Sequence, residues 1–139
     1  MKILEAKQEF NNILKLANID DINNNVNQLI RLVTGLNPTQ LLLATDISEE
    51  EYNHIKELVN LRATGYPLQY IIGWVEFCGN KIEVTPSVLI PRNETEQLCD
   101  IISKVSSGKK VLDLCTGSGC IGLGIKANST ATVNMSDIS

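Results

Sequence analysis

The stretch VLDLCTGSGCIGLGI, residues 111–125, constrains the fold more than any other part of this chain. VLDLC is a short, nearly continuous apolar run of the kind found inside a parallel sheet. Thr116, Gly117, Ser118 and Gly119 then allow a tight turn, and the two glycines let a ligand approach the backbone with no Cβ in the way. IGLGIKAN reads as a glycine-rich helix, and ATVNMSDIS as a second strand ending in Asp137. The order strand, turn, helix, strand begins a parallel α/β sheet.

A different period governs the first seventy residues or so. Ile3, Ala6, Phe10, Ile13, Leu14 and Ala17 share one helical stripe, and Val26, Leu29, Ile30 and Val33 another that Gly35 stops. NPTQLLLATD suggests a short helix with Pro38 in its first turn, where a missing N–H costs nothing. Ser48 and Glu51 have the spacing of a capping box, ahead of a helix with Tyr52, Ile55, Leu58, Val59 and Arg62 on one face and Gly65 at its end. WVEFCGNKIEV has two alternating segments around GN and predicts a hairpin. Beyond the loop TPSVLIPRNETE, Asn93 is expected to cap a helix with Glu96 at the third position and Leu98, Ile101, Ile102 and Val105 on its apolar face.

The expected fold class is therefore α/β overall. An all-helical bundle spans residues 1–72, a hairpin and linker 73–92, and the first strand–helix–strand unit of a parallel α/β domain 93–139. Two parallel strands and one crossover helix cannot cover both faces of a sheet, and such domains usually have about five or more strands. The expectation is a fragment, with the alternative that a partner supplies the rest of the sheet.

Composition narrows the function classes. A net charge of −4 and a pI near 5.0, with no stretch that gathers Lys and Arg, argue against a nucleic-acid surface. Cys78, Cys99, Cys115 and Cys120 form no CxxC pair and lie far in sequence from His54, so no metal site is expected. No charged leader or long apolar run is present, so the chain is expected to be cytoplasmic, with reduced cysteines and no membrane association. The asparagine-rich INNNVNQ reads as composition bias. His54 is expected to be structural or exposed.

The glycine loop carries the chemistry. Exposed N–H groups there and at the start of the next helix favour carboxylate or phosphate oxygens. Asp137 lies 20 residues beyond Gly117, the reach at which an acidic side chain accepts hydrogen bonds from ribose hydroxyls. Asp113 discriminates between ligands. A pyrophosphate gains nothing obvious from a carboxylate just before the loop, whereas an ammonium group does, directly or through water. S-adenosylmethionine carries that ammonium, so the pattern leans towards a methyltransferase over a dehydrogenase. A purely structural turn is the alternative for the loop. Cys115 and Cys120 are expected to be small packing residues, since the sequence aims no base at them.

PLQYIIGWVEFCGNKIEVTPSVLIPRNETEQL, the glycine loop and VNMSDIS, in this order, resemble the protein-(glutamine-N5) methyltransferases that modify peptide-chain release factors. The resemblance runs from about residue 20 to 139 and is strongest from 66 onward. It implies a helical bundle, a hairpin linker and a Rossmann-like catalytic domain. The implied reaction transfers a methyl group from S-adenosylmethionine to the amide nitrogen of the glutamine in a Gly-Gly-Gln motif. On this resemblance, Asp113 begins the cofactor motif, Cys115, Thr116, Gly117, Ser118 and Gly119 line it, and Asp137 binds the ribose. Pro91, Arg92, Thr95 and Glu96 match a loop that closes over the cofactor, with a structural ion pair or helix cap as the alternative for Arg92 and Glu96. The implied partner is a release factor, which the bundle helps to recognise, and a monomer is expected.

Two departures stand out. The family usually has glycine where this chain has Cys115, which is expected to keep ordinary β-like dihedrals and turn its thiol inward. The family's Asn-Pro-Pro-Tyr motif, which holds the substrate amide, lies beyond the ribose-binding acid and is absent from these residues. No catalytic residue is therefore assigned, and these 139 residues alone are expected to be catalytically silent and to bind cofactor weakly at best. The competing readings are a base amino-methyltransferase of the same motif class and a non-enzymatic module that docks a release factor.

Overall fold

The computed structural model describes residues 1–138. Contacts divide the chain into two compact units, Met1–Ile72 and Gly73–Ser139.

The first unit is helical: α1 (Ile3–Leu16), α2 (Ile22–Thr34), α3 (Pro38–Leu43), α4 (Glu49–Ala63) and α5 (Leu68–Ile72). The stripes read from the sequence become its core. Ile3, Ala6, Phe10 and Leu14 of α1, Val26, Leu29 and Ile30 of α2, and Ile55 and Val59 of α4 are all buried. Burying a large apolar side chain contributes about 1.5–3 kcal/mol, which favours packing over isolated helices. The Phe10 ring stacks on Tyr52 with centroids 5.5 Å apart.

Local chemistry sets the helix ends. The Glu51 N–H donates to Ser48 Oγ at 3.1 Å, and the Ser48 N–H donates to Glu51 Oε2 at 2.7 Å, the capping box anticipated there. Asn37 and Gln40 form a second box that spans Pro38, which the sequence reading did not foresee. Gly35 ends α2 in a left-handed conformation at φ 72°. The asparagine-rich segment does more than reflect composition. Buried Asn25 donates to the Asp20 and Asp21 carbonyls, and its Oδ1 accepts from Arg62 Nε at 2.8 Å. That network satisfies a buried amide and ties α4 to the start of α2.

In the second unit, β1 (Trp74–Phe77) and β2 (Asn80–Glu83) pair antiparallel, with Val75 opposite Ile82 and Phe77 opposite Asn80. The two turn residues are Cys78 and Gly79, one position earlier than the GN expected from sequence. Both have positive φ, at 49° and 76°, as a type I′ hairpin turn requires. Next come α6 (Asn93–Ser106), β3 (Lys110–Leu114), α7 (Cys120–Asn128) and β4 (Thr132–Ser136). Strands β3 and β4 are parallel, with Val111 opposite Val133 and Asp113 opposite Met135. This is the strand–helix–strand unit expected. Its core joins Phe77 and Ile82 of the hairpin to Cys99, Cys120, Ile125 and Ala131.

Two local expectations about α6 are corrected, and the expectation that the strand pair is left partly uncovered is met. Arg92 occupies the cap position of α6 without a side-chain hydrogen bond, and Asn93 is the first helical residue. Glu96 is therefore released from the capping role and accepts the Cys78 N–H at 3.1 Å. The buried face of α6 is Cys99, Ser103 and Ser106, while Leu98, Ile101 and Val105 are exposed. Small residues win because α7 comes close: a Cβ on Gly124 would stand 2.5 Å from Cys99 Sγ. The hydroxyls of Ser103 and Ser106 donate to the Cys99 and Ile102 carbonyls, so their burial leaves no donor unpaired. Finally, β3 is covered on one face only. Leu112 and Leu114 are 62% and 68% exposed, and the Val111 and Asp113 side faces α7.

Candidate functional site

Residues 115–119 join β3 to α7 at the C-terminal ends of two adjacent parallel strands, where open α/β sheets place their ligand crevices. The chain must reverse from strand to helix within five residues. It does so with left-handed backbone at alternate positions: Cys115 at φ 60°, Gly117 at 59° and Gly119 at 80°. The expected extended geometry and inward thiol of Cys115 are thus overturned, since its side chain is exposed. Turn geometry decides that conformation, and a non-glycine residue there bears roughly 1–2 kcal/mol of steric cost.

Hydrogen bonds converge on two carboxylates. Asp113 Oδ2 accepts from the Thr116 hydroxyl at 2.6 Å and from the Gly122 N–H at 2.9 Å. It therefore ties the end of β3 to the loop and to the first turn of α7. Asp137 Oδ2 accepts the Gly117 N–H at 2.7 Å, a length typical of a charge-assisted bond. The Thr116 N–H donates to the Ser136 carbonyl at 3.0 Å, and the Gly119 N–H to the Thr116 carbonyl at 3.0 Å. Asp113, Thr116, Gly117, Gly119 and Asp137 are thus drawn into one network. Ser118 lies half-buried within the same loop.

Pro91, Arg92, Thr95 and Glu96 form a second group at the start of α6. The Thr95 N–H donates to the Arg92 carbonyl at 3.1 Å. Glu96 binds the hairpin turn, and among the described residues no ion pair joins it to Arg92. Of the roles open to Glu96 in the sequence, neither cap nor ion pair is adopted.

Two contributors escaped sequence reading. A Cβ on Gly122 would stand 2.6 Å from Met135 Sδ and 3.1 Å from Asp113 Oδ2, so glycine at 122 lets the helix reach the carboxylate. The signal was present. A glycine inside a helix costs about 1 kcal/mol relative to alanine and calls for a packing reason. Met135, beneath Gly119 and Gly122, has no comparable mark in the sequence.

A cleft of about 290 Å³ in the same unit is lined by Cys78, Glu96, Cys99, Asp100, Ser103 and Asn128. Its polar groups are already engaged: Glu96 with the Cys78 N–H, Asp100 with Lys104, Ser103 with the Cys99 carbonyl, and Asn128 with the Gly124 carbonyl. Burial, helped by the Cys99 thiol and the Glu96 charge, pushes the Cys78 thiol up to about 12. Among the described residues no group of three or more His, Cys, Asp or Glu is placed to hold a metal ion. No helix among them is long and apolar enough to cross a membrane.

The sequence profile of the PrmC N-terminal domain matches residues 5–73. Three curated relatives carry the name release factor glutamine methyltransferase. The protein of Thermodesulfovibrio yellowstonii is 45% identical over 89 residues, covering 60% of this chain and 32% of its own length. That of Bacteroides thetaiotaomicron is 37% identical over 109 residues, covering 76% and 39%. That of Koribacter versatilis is 36% identical over 126 residues, covering 85% and 45%. The chain thus spans less than half the length of these relatives. By these matches the chain is similar to the N-terminal part of proteins named release factor glutamine methyltransferase.

Proposed function

We propose that this chain is the N-terminal portion of an S-adenosylmethionine-dependent protein-(glutamine-N5) methyltransferase whose substrate is the Gly-Gly-Gln glutamine of a peptide-chain release factor. The supporting observation is the pairing of Asp137 with Gly117 across the ends of β4 and the loop. It puts an acidic side chain at the apex of the glycine loop, at the C-terminal ends of two parallel strands, where such an acid can meet a ribose. The apex of the loop is open, since nothing lies within 4 Å of where a Cβ on Gly117 would stand.

In this reading Asp137 accepts the ribose hydroxyls, and Thr116, Gly117, Ser118 and Gly119 line the ligand with backbone groups. Cys115 joins them through its backbone, at the steric cost described above. Asp113 orders the loop through Oδ2 and offers its other oxygen to an ammonium group, directly or through water. Pro91, Arg92, Thr95 and Glu96 belong to the segment proposed to close over the ligand. When bound, S-adenosylmethionine supplies an electrophilic methyl group. The glutamine amide is held elsewhere, by an Asn-Pro-Pro-Tyr segment that residues 1–139 do not contain, so the transfer is assigned to a longer protein carrying both parts. The helical unit is proposed to help recognise the release factor, and the protein to act as a cytoplasmic monomer.

The test is a calorimetric titration of S-adenosylhomocysteine and, separately, NAD into this chain and its Asp137→Ala variant. Weak saturable binding of the first ligand is expected, reduced roughly tenfold or more in the variant by loss of a hydrogen bond to a charged group. Tighter binding of NAD, or an affinity indifferent to Asp137→Ala, overturns the cofactor assignment. Substrate identity is read separately, by mass spectrometry of a release factor incubated with the longer protein. Absence of a methyl group on its Gly-Gly-Gln glutamine overturns that part.

A further inference from the structure

The loop from 115 to 119 holds an unusual backbone, and something must keep it there before any ligand arrives. Its lower half is secured from two sides, by Asp113 through Thr116 and Gly122 and by the ladder bond from the Thr116 N–H to the Ser136 carbonyl. Its apex is different. Gly117 is exposed, has left-handed backbone and no atom crowding its Cβ position, so packing does not restrain it. The restraint shown for its N–H is the 2.7 Å bond to Asp137 Oδ2, which reaches back from the end of β4.

We propose that Asp137 is a positioning residue of the glycine loop: its carboxylate latches the Gly117 N–H in the ligand-free chain and keeps the loop in the shape that receives the ligand. The ligand-free latch stands on geometry alone, while its consequence for affinity rests on the cofactor reading proposed above. A pre-set loop loses less conformational freedom on binding, which is the general route by which preorganisation raises affinity.

The experiment is amide NMR on the ligand-free 139-residue chain, comparing wild type with Asp137→Ala and Asp137→Asn. The Gly117 amide proton is expected downfield in wild type. In Asp137→Ala it should lose that displacement and exchange about tenfold faster or more. Asp137→Asn, whose amide oxygen still accepts, should lie between the two. Amides of Leu112 and Ile125 should not change, which separates a local latch from a general loss of structure. Equal Gly117 shift and exchange in wild type and Asp137→Ala overturn the latch. The S-adenosylhomocysteine titration separates the two ideas. Loss of the Gly117 signature without any wild-type binding leaves the latch standing and removes the cofactor reading. An unchanged signature with binding lost in Asp137→Ala does the reverse.

Discussion

In the helical unit the large side chains that α1, α2 and α4 turn inward, Phe10, Leu14, Leu29, Ile30, Ile55 and Val59, are out of water. In the second unit Leu112 and Leu114 of β3 stand exposed, and so do Leu98, Ile101 and Val105 of α6. Leu4, Leu16, Leu42 and Leu43 of the helical unit are exposed too, so the difference lies in the uncovered face of β3 and follows from the elements themselves. A helix satisfies its own backbone and needs only one covered stripe, so a few short helices can close a core around each other. A parallel strand pair has two faces, and one crossover helix covers one of them. Where the core of the second unit does close, between α6 and α7, it does so through small residues, with Gly124 against Cys99 and Cys78. The two units should therefore fail in opposite ways, one when volume is removed and the other when volume is added.

The largest effect is expected from Phe10→Ala. It removes a fully buried ring stacked on Tyr52 and should cost about 3–5 kcal/mol. Urea unfolding followed by far-UV circular dichroism measures it, and a loss below about 1 kcal/mol would mean that the bundle repacks and that the contrast is wrong.

Gly124→Ala should come next. The added methyl has to displace Cys99 Sγ and press on Cys78, an overpacking cost of about 1–3 kcal/mol that outweighs the helix propensity gained. Trp74, the single tryptophan, lies in the hairpin of the same unit, so its fluorescence during urea unfolding reports the change. A variant as stable as wild type would show that the α6–α7 contact is loose.

The smallest effect should be a gain. Cys115→Gly relieves a left-handed non-glycine residue, partly offset by the greater freedom of glycine in the unfolded chain, for a net stabilisation of roughly 1 kcal/mol. A destabilised Cys115→Gly protein, measured by the same fluorescence assay, would mean that the exposed thiol side chain makes a favourable contact that offsets its backbone cost.

Legibility in the sequence followed the strength of the local signal. The helical stripes, the Ser48–Glu51 capping box and the parallel unit around the glycine loop rest on periodicity and on bonds between near neighbours, and they are found as read. The cap of α6 was misread because Glu96, three residues past Asn93, found a stronger claim in the Cys78 N–H, 18 residues back. The apolar face of α6 was misread for a related reason. Leu98, Ile101 and Val105 are exposed, Ile102 is half-buried against the core as expected, and the close approach of α7 favours a small residue at Cys99. Hydrophobicity ranks candidates for burial, and the distance between helices selects among them.

The sequence by itself determined the period of each segment, the position of the loop and the acid 20 residues beyond Gly117, because these depend on residue type and spacing along the chain. Only the tertiary structure decided that Cys115 takes φ 60°, that Asp113 turns Oδ2 to Thr116 and Gly122, and that Asp137 reaches the Gly117 N–H. Each of those depends on where the end of one strand meets a neighbouring element, and spacing along the chain does not encode that meeting.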